Sequence, residues 1–140
     1  MTYNTVVPIW NATRGRFQDK VEDLPEQDLH LQLGNSSVAR LIHHTAEVEY
    51  MFAEWFFGKK KSEEIGNPAP TELSELVKLL SASNEYLLEA MRNLSDEDWN
   101  KSIESPMGAS TPLEAVGRLM YHTGIHAGQI SLIQKNGQAK

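Results

Sequence analysis

Apolar residues recur along this chain at alternating steps of three and four, the spacing that places side chains on one face of an α-helix. The most regular stripe predicts a helix over residues 71–93, and only Ser83 interrupts it. Its apolar members are Leu73, Leu76, Leu80, Leu87, Ala90 and Leu94. A second stripe predicts a helix over residues 36–57, and its members are Val38, Leu41, Thr45, Val48, Phe52 and Trp55.

Helix-end signals sharpen these boundaries and predict a helix near the C-terminus. Residues 111–114 (TPLE) form a capping box with proline at the first helical position, and Gly137 ends the helix that begins there. Ser36 or Ser37 can cap the helix over residues 36–57, and Gly58 follows its last turn.

A less regular pattern at the start of the chain predicts a further helix over residues 6–23. Its core side is expected to include Ile9, Phe17 and Val21. The proline-rich run at residues 66–70 (GNPAP) cannot continue a helix and is expected to be a loop. Four amphipathic helices without an alternating strand pattern predict an all-α four-helix bundle. The length of 140 residues fits a single domain, residues 1–140.

An internal repeat relates the second and fourth predicted helices. The hexapeptide RLIHHT at residues 40–45 corresponds to RLMYHT at residues 118–123. The links before these segments are also similar, LPEQDL at residues 24–29 and LSDEDW at residues 94–99, and each then passes through Gly-x-Ser. The chain therefore resembles two helix–link–helix halves, and pseudo-twofold packing of the halves would bring the second and fourth helices together.

Three histidines lie on the apolar faces of the repeated segments. The repeat aligns His44 with His122, and His126 follows His122 by four residues on the same helical face. The neighbouring His43 falls on a polar stripe, so it is expected to be solvated and outside any site. Pseudo-twofold packing is expected to make the other three imidazoles converge.

Three converging imidazoles indicate a divalent metal site. Neutral imidazole nitrogens suit zinc, nickel, copper and iron, and three protein ligands with a fourth position open to water are typical of catalytic zinc sites. The alternative is that the histidines are ordinary core or surface residues, because a pair four residues apart on a helix is common without a metal.

Composition narrows the possible functions. A net charge of −6 and a pI near 5.3 argue against nucleic-acid binding, since phosphates require a basic face. The N-terminus lacks a signal-peptide pattern, and no apolar run approaches the ~20 residues that span a bilayer. A cytoplasmic protein without a membrane partner is therefore expected. The chain has no cysteine, so any thiol in its chemistry must come from a cosubstrate.

The segments HTAEVE at residues 44–49 and YHTGIHAGQI at residues 121–130 resemble the two signature segments of the DinB/YfiT-like metalloenzyme superfamily. The resemblance extends over essentially the whole chain. It implies a bundle of up-down-down-up topology, a homodimer, and a nickel- or zinc-type ion on three histidines, which correspond here to His44, His122 and His126. It also implies chemistry with low-molecular-weight thiols such as bacillithiol or mycothiol, or hydrolysis.

Two further side chains are candidates for supporting the ligands. Glu47 lies one turn from His44 and could orient its imidazole or act as a base, although its polar stripe favours a solvated carboxylate. Gln129 lies three residues after His126 and could hydrogen-bond near the site, with a purely structural role as the equal alternative.

The arginines that precede the repeated histidines could anchor a substrate carboxylate. Helical side chains lean toward the N-terminus, so pairing of Arg40 with Asp28, and of Arg118 with Asp98, is the simpler expectation. Glycines inside a helix are costly and suggest close helix approach, within the bundle or across a dimer. Three of them share a stripe on the fourth helix: Gly117, Gly124 and Gly128.

Together these features predict a metal-dependent enzyme with a small-molecule substrate. Transfer of a low-molecular-weight thiol, with the thiol as cosubstrate and nickel or zinc as cofactor, is the first hypothesis, and metal-dependent hydrolysis is the second. The rival is a non-enzymatic helical dimer or stress-induced binding module whose histidines fill a core or hold an idle metal. An open coordination position beside an accessible pocket would favour the enzyme.

Overall fold

A computed structural model describes residues 1–60 and 69–139 of the chain, and most of them lie in four long helices. The helices are α1 (Thr2–Glu22), α2 (Val38–Phe56), α3 (Leu73–Asn93) and α4 (Pro112–Asn136). Two short 3₁₀ helices span Glu26–His30 and Asp98–Asn100. Three short strands, β1 (Leu31–Leu33), β2 (Ser36–Ser37) and β3 (Gln138–Ala139), form an antiparallel sheet in the order β2-β1-β3. Within the described residues, no helix combines the length and apolarity needed to cross a membrane.

The helices are held together by two clusters of buried apolar side chains, because α1 and α2 each pack against both α3 and α4. One cluster includes Trp10, Phe56, Leu87, Trp99 and Leu119. The other includes Phe17, Ile42, Leu76, Leu80 and Ile130. Each long helix contributes to both clusters. Since full burial of one large apolar side chain is worth about 1.5–3 kcal/mol, these clusters stabilise the packing of the four helices.

The predicted helix ends are confirmed where a capping side chain defines them. Thr111 Oγ1 accepts a hydrogen bond from the backbone N–H of Glu114 at 3.0 Å, and Glu114 Oε1 accepts one from the N–H of Thr111 at 2.8 Å. Both halves of the capping box therefore form at the start of α4. Ser37 caps α2 by accepting from the N–H of Arg40, whereas Ser36 lies in β2.

The core side of α1 differs from the expectation. Ile9 is exposed, and the buried apolar side chains of this helix are Val6, Trp10, Phe17 and Val21. A buried cation, Arg14, lies at the centre of that face, so the apolar spacing is interrupted and the face is hard to recognise from the sequence. Arg14 pairs with Glu49 of α2, with 2.6 Å between Nε and Oε2. Ser83, which interrupts the stripe of α3, donates to the same carboxylate at 2.6 Å.

The small sheet is a correction to the all-α expectation. Strands of two or three residues are too short to show the alternation by which a strand is recognised in a sequence. The predicted loop at residues 66–70 falls mostly outside the described residues, which resume at Ala69; Ala69 and Pro70 belong to no helix or strand.

The two links that precede α2 and α4 have similar local structure, as their sequences suggest. Each 3₁₀ helix completely buries one large apolar side chain, Leu29 in the first link and Trp99 in the second. Gly34 and Gly108 follow with φ of +62° and +90°, a left-handed conformation that glycine adopts without strain. The two links therefore enter the histidine-bearing helices through comparable turns.

Candidate metal centre

The three histidines of the repeat lie together where α2 packs against α4. His44 comes from α2, and His122 and His126 come from α4, one turn apart. One ring nitrogen from each lies within 4.8 Å of the other two. The ring centroids of His122 and His126 are 4.2 Å apart, and His44 lies 5.1 Å and 5.4 Å from them. In the described part of the chain, no other group of His, Asp or Glu side chains meets this geometry.

The spacing and the donor type fit one divalent metal ion. The Nε2 atoms of His122 and His126 are 2.9 Å apart. Two imidazole nitrogens that each lie about 2.0–2.1 Å from a shared ion are roughly 2.9–3.4 Å from each other. Three imidazoles suit zinc, nickel, copper or iron, and they leave further coordination positions for other ligands. Metal binding itself stays a prediction.

Burial favours the neutral form of the two histidines on α4. Burial, followed by the proximity of His126 and His44, lowers the pKa of His122 from 6.5 to about 4. The pKa of His126 is also lowered, chiefly by burial; its hydrogen bond to Gln129 opposes that shift and His44 adds to it. Near neutral pH both rings therefore keep an unprotonated nitrogen, which is the form that binds a metal.

The two predicted supporting residues lie beside the ligand candidates. Nδ1–H of His126 donates to Oε1 of Gln129 at 2.6 Å. This bond fixes the tautomer in which Nε2 of His126 carries the lone pair that faces the cluster. Oε1 of Glu47 lies 3.7 Å from Nδ1 of His44 and 3.4 Å from Nδ1 of His43. Glu47 is thus half-buried between two imidazoles and is not the fully solvated carboxylate that its stripe favoured.

The expectation that His43 is solvated is wrong. Its side chain is 15% exposed, whereas that of His44 is 45% exposed. The reason is that α2 packs against α3 as well as α4, so the helix is covered on more than one flank. Ala46 and Tyr50, one and two turns from His43 on the same side, are buried. His44 is the more open of the two because it borders a pocket.

A pocket of about 860 Å³ opens between α2 and α4 beside the histidines, and His44 and His122 form part of its wall. Its apolar lining consists of Val48, Met51, Phe52, Trp55, Met107 and Ile125. The remaining lining residues are Glu114, Gly117, Arg118 and Tyr121. The volume lies within the range of about 300–1,000 Å³ that is typical of small-molecule sites.

Arg118 contacts this pocket and forms no ion pair with Asp98, contrary to expectation. Its Nη1 donates to Oγ of Ser110 at 2.8 Å, and its Nη2 donates to the carbonyl oxygen of Met107 at 2.9 Å. Asp98 pairs with Lys101 at 3.0 Å. The side chain leans toward the N-terminus of α4, as predicted, but the nearest acceptors there belong to the second link. In the sequence, the feature that could have placed Arg118 near the site is its position one helical turn before His122.

One further expectation about packing is wrong for the described residues. A second, close helix approach at the glycines of α4, is not met within the chain, and its alternative across a dimer stays a prediction. Arg40 is exposed and does not pair with Asp28. The carboxylate of Asp28 instead accepts a hydrogen bond from the side-chain amide of Gln134 at 2.9 Å. The glycine stripe of α4 mediates no close helix approach within the chain, because an added Cβ would meet no atom within 4 Å at any of the three positions, Gly117, Gly124 and Gly128.

Comparison with known proteins was made by sequence and by structure. The sequence model of the DinB superfamily matches residues 9–130. No curated protein matches the sequence. A DinB-like protein from Bacillus cereus has a similar structure, with a TM-score of 0.74 and 16% identity over 96% of this chain and 93% of that one.

Two other solved structures are similar. A DinB-like protein from Bacillus subtilis has a TM-score of 0.72 and 16% identity, with 97% of this chain and 96% of that chain covered. A mutant of the mycothiol-dependent maleylpyruvate isomerase has a TM-score of 0.72 and 14% identity, with 93% and 61% covered. Identities this low show a common fold and carry no information about substrate.

Proposed function

We propose that this chain, which belongs to the DinB superfamily, is a metal-dependent enzyme that transfers a low-molecular-weight thiol to a small electrophilic substrate. The observation that carries the proposal is the convergence of His44, His122 and His126, two of which, His44 and His122, line an accessible apolar pocket. A cluster of histidines that served only to fill the core would be enclosed by protein, whereas His44 is nearly half exposed.

The chain's own residues would hold the ion, and neighbouring side chains would orient the imidazole rings that bind it. His44, His122 and His126 would supply three neutral nitrogens, and Gln129 keeps Nε2 of His126 turned toward them. Glu47 lies close enough to Nδ1 of His44 to orient that ring. A bound divalent ion, for which nickel and zinc are our first candidates, would act as a Lewis acid that lowers the pKa of a thiol or of water.

The choice of a thiol rests on two observations. The chain has no cysteine, so a sulfur nucleophile must enter as a cosubstrate, and the pocket provides room for it beside the histidines. The structurally similar isomerase is by name dependent on mycothiol. This chain covers 61% of that enzyme, so the thiol dependence is carried over here as part of the proposal.

Metal-dependent hydrolysis is the second candidate, and the exposure of His44 favours it. A ligand histidine that is 45% exposed allows water to reach the same coordination positions that a thiol would occupy. The two reactions differ in the nucleophile and use the same three histidines.

We also propose that the helices form a bundle of up-down-down-up topology and that the protein is a homodimer. Support for the dimer comes from the part of α4 beyond the histidines, where the large apolar side chain of Leu132 is 51% exposed. Gly128, one turn earlier on the same face, is also exposed and would let a second helix approach closely. Sedimentation velocity of the wild type and of Leu132→Glu tests it: a dimer that becomes monomeric is expected, and a wild-type monomer at all concentrations contradicts the dimer.

The experiment for the proposed activity is an assay of metal-loaded protein with bacillithiol, glutathione or coenzyme A and an electrophilic acceptor. A metal-dependent rate is expected, with a pH midpoint well below the ~8.5 of a free thiol. His126→Ala is expected to abolish the metal-dependent rate, and His43→Ala is expected to retain it. Hydrolysis of esters or amides without thiol transfer would support the second candidate, and inactivity in both assays would support a binding module instead.

A further inference from the structure

Among the described residues, the wall of the pocket beside the histidines is largely apolar and carries one guanidinium, Arg118, and one carboxylate, Glu114. Its aromatic and thioether lining on α2 consists of Met51, Phe52 and Trp55, and Arg118 faces the same space from α4. Within residues 1–60 and 69–139, no carboxylate lies at ion-pair distance from Arg118; the residue bonds only to the neutral oxygens of Ser110 and Met107. No carboxylate of the described residues therefore forms an ion pair with this guanidinium.

The carboxylate in the pocket wall does not pair with Arg118. Glu114 precedes Arg118 by four residues on α4, the spacing at which opposite charges on a helix usually pair. In this structure they form no ion pair, and Oε1 of Glu114 instead accepts from the backbone N–H of Thr111 at 2.8 Å. Glu114 therefore lines the same pocket as Arg118 without forming an ion pair to it, and the donors of Arg118 stay available to a ligand.

The guanidinium of Arg118 is held in place and still has donors available. It lies over the rings of Phe52 and Phe56, at 5.3 Å and 5.8 Å from their centroids. Two hydrogen bonds occupy only part of its donor capacity, since a guanidinium has five N–H groups. A fixed cation with unused donors beside an apolar surface is suited to an anionic group attached to an apolar body.

The distance between this cation and the histidines sets the size of a ligand that spans them. Arg118 and His122 are four residues apart on α4, which separates their Cα atoms by about 6 Å along the axis. The arginine leans away toward the link, so a ligand that contacts both must extend over several bonds, roughly 6–10 Å. The pocket volume of about 860 Å³ accommodates such a molecule together with a small cosubstrate.

We propose that the pocket binds a small amphiphilic organic anion, with its carboxylate or sulfonate on Arg118 and its apolar body along Phe52 and Trp55. The reactive end of the molecule then lies at His44 and His122. This inference rests on the proposed function and deepens it, because it names the class of electrophilic substrate. The net charge of −6 repels anions from the protein as a whole, so the selectivity for an anion comes from Arg118.

Calorimetric titration with three eight-carbon probes tests the proposal: octanesulfonate, octanol and octyltrimethylammonium, each below its micelle concentration. A sulfonate is a poor metal ligand, so its binding reports on the pocket both before and after treatment of the full chain with a chelator. Octanesulfonate is expected to bind most tightly, about tenfold or more over octanol, and the cation most weakly. Equal or tighter binding of the cation would overturn the proposal. The proposal would also be overturned if octanesulfonate bound more weakly at higher protein concentration, because a second copy of the chain would then cover the pocket.

Variants assign the effect to one side chain. Arg118→Gln is expected to weaken octanesulfonate binding about tenfold and to leave octanol binding unchanged, while Arg118→Lys retains most of the affinity. Arg40→Gln, at the equivalent position of the repeat, is the matched control and should bind like the wild type. Unchanged sulfonate affinity in a folded Arg118→Gln variant would refute the proposal, and if that variant does not fold, the probe series on the wild type decides.

Failure of this inference is distinguishable from failure of the proposed function. Preferential binding of the sulfonate with no thiol transfer would leave the anion site intact and remove the proposal of thiol transfer. Thiol transfer that is no faster with anionic acceptors than with neutral ones would retain the enzyme and overturn the anion site.

Discussion

Two polar clusters contact α2 from different sides, and they differ in how completely the protein satisfies them. In the first, Arg14 and Glu49 are each 1% exposed and form two hydrogen bonds, at 2.6 Å and 3.3 Å. Arg14 also donates to Gln18 and to the carbonyl oxygen of Leu80, and the hydroxyl of Ser83 donates to Glu49. This cluster is closed, and α1, α2 and α3 all contribute to it.

The histidine cluster on the α4 side is open and unsaturated. Nε2 of His122 and Nε2 of His126 face each other at 2.9 Å, and His44 is 45% exposed beside the pocket. Arg118 nearby has no carboxylate partner within the described chain. Both clusters consist of polar side chains on helices whose other inward-facing residues are apolar. Complete burial with every group satisfied by the protein indicates a structural role, and imidazoles that border an accessible pocket indicate a binding site.

The largest expected effect concerns the closed cluster. Arg14→Ala leaves the Glu49 carboxylate buried without its cation, so we expect a loss of about 3–5 kcal/mol in the free energy of unfolding. Urea denaturation followed by circular dichroism measures it. Arg40→Ala removes an exposed arginine and is expected to change stability by less than about 0.5 kcal/mol. A similar loss in both variants would show that the closed cluster is not a structural element.

The open cluster is expected to behave in the opposite way. His122→Ala should remain folded, because the two apolar cores do not depend on this half-buried side chain. Its affinity for Ni²⁺ or Zn²⁺ is expected to fall by more than about 100-fold, since even supporting residues of metal sites contribute 10–100-fold. Calorimetric titration with each ion and circular dichroism of the same samples check both points. An unfolded variant would show that the histidines are part of the structural core.

A smaller effect is expected for the residue that orients His126. Gln129→Ala frees Nδ1 of this imidazole and should weaken metal binding about tenfold without a loss of structure. Gln134→Ala is the matched control, because this glutamine lies on the same helix and bonds to Asp28, away from the site. Equal metal affinity of the two variants would remove Gln129 from the site.

A further expected effect is on the pH dependence of stability. His122 has a pKa of about 4 in the folded chain, and an unfolded histidine has one near 6.5. Between these values the unfolded state binds a proton that the folded state does not bind. Stability of metal-free protein is therefore complete above about pH 6.5 and declines as the pH falls toward 4. His122→Gln should show a shallower decline in urea midpoints over this range, and an identical decline would contradict the assignment.

The parts of the molecule that could be predicted from the sequence depend on local chemistry. The capping box of residues 111–114 acts within one helical turn, so it forms as its residue types require. The spacing of His122 and His126 fixes their relative position on α4 regardless of the rest of the fold. The repeat then related His44 to them, and the structure brings all three rings together.

The parts that could not be predicted depend on partners far away in the sequence. The face of α1 was misjudged because the partner of Arg14 lies 35 positions later, at Glu49. The burial of His43 follows from the packing of α3 on α2, which a single-helix pattern does not show. The position of Arg118 in a pocket wall follows from the packing of α2 against α4, which the pattern of a single helix does not show.

The central claim is that the open cluster holds a metal, and elemental analysis of protein purified without a histidine tag tests it most directly. We predict one equivalent of a divalent transition metal per wild-type chain, retained in His43→Ala and lost in folded His44→Ala, His122→Ala and His126→Ala. No metal in the wild type after incubation with nickel or zinc, or an undiminished content in all three ligand variants, would contradict the account.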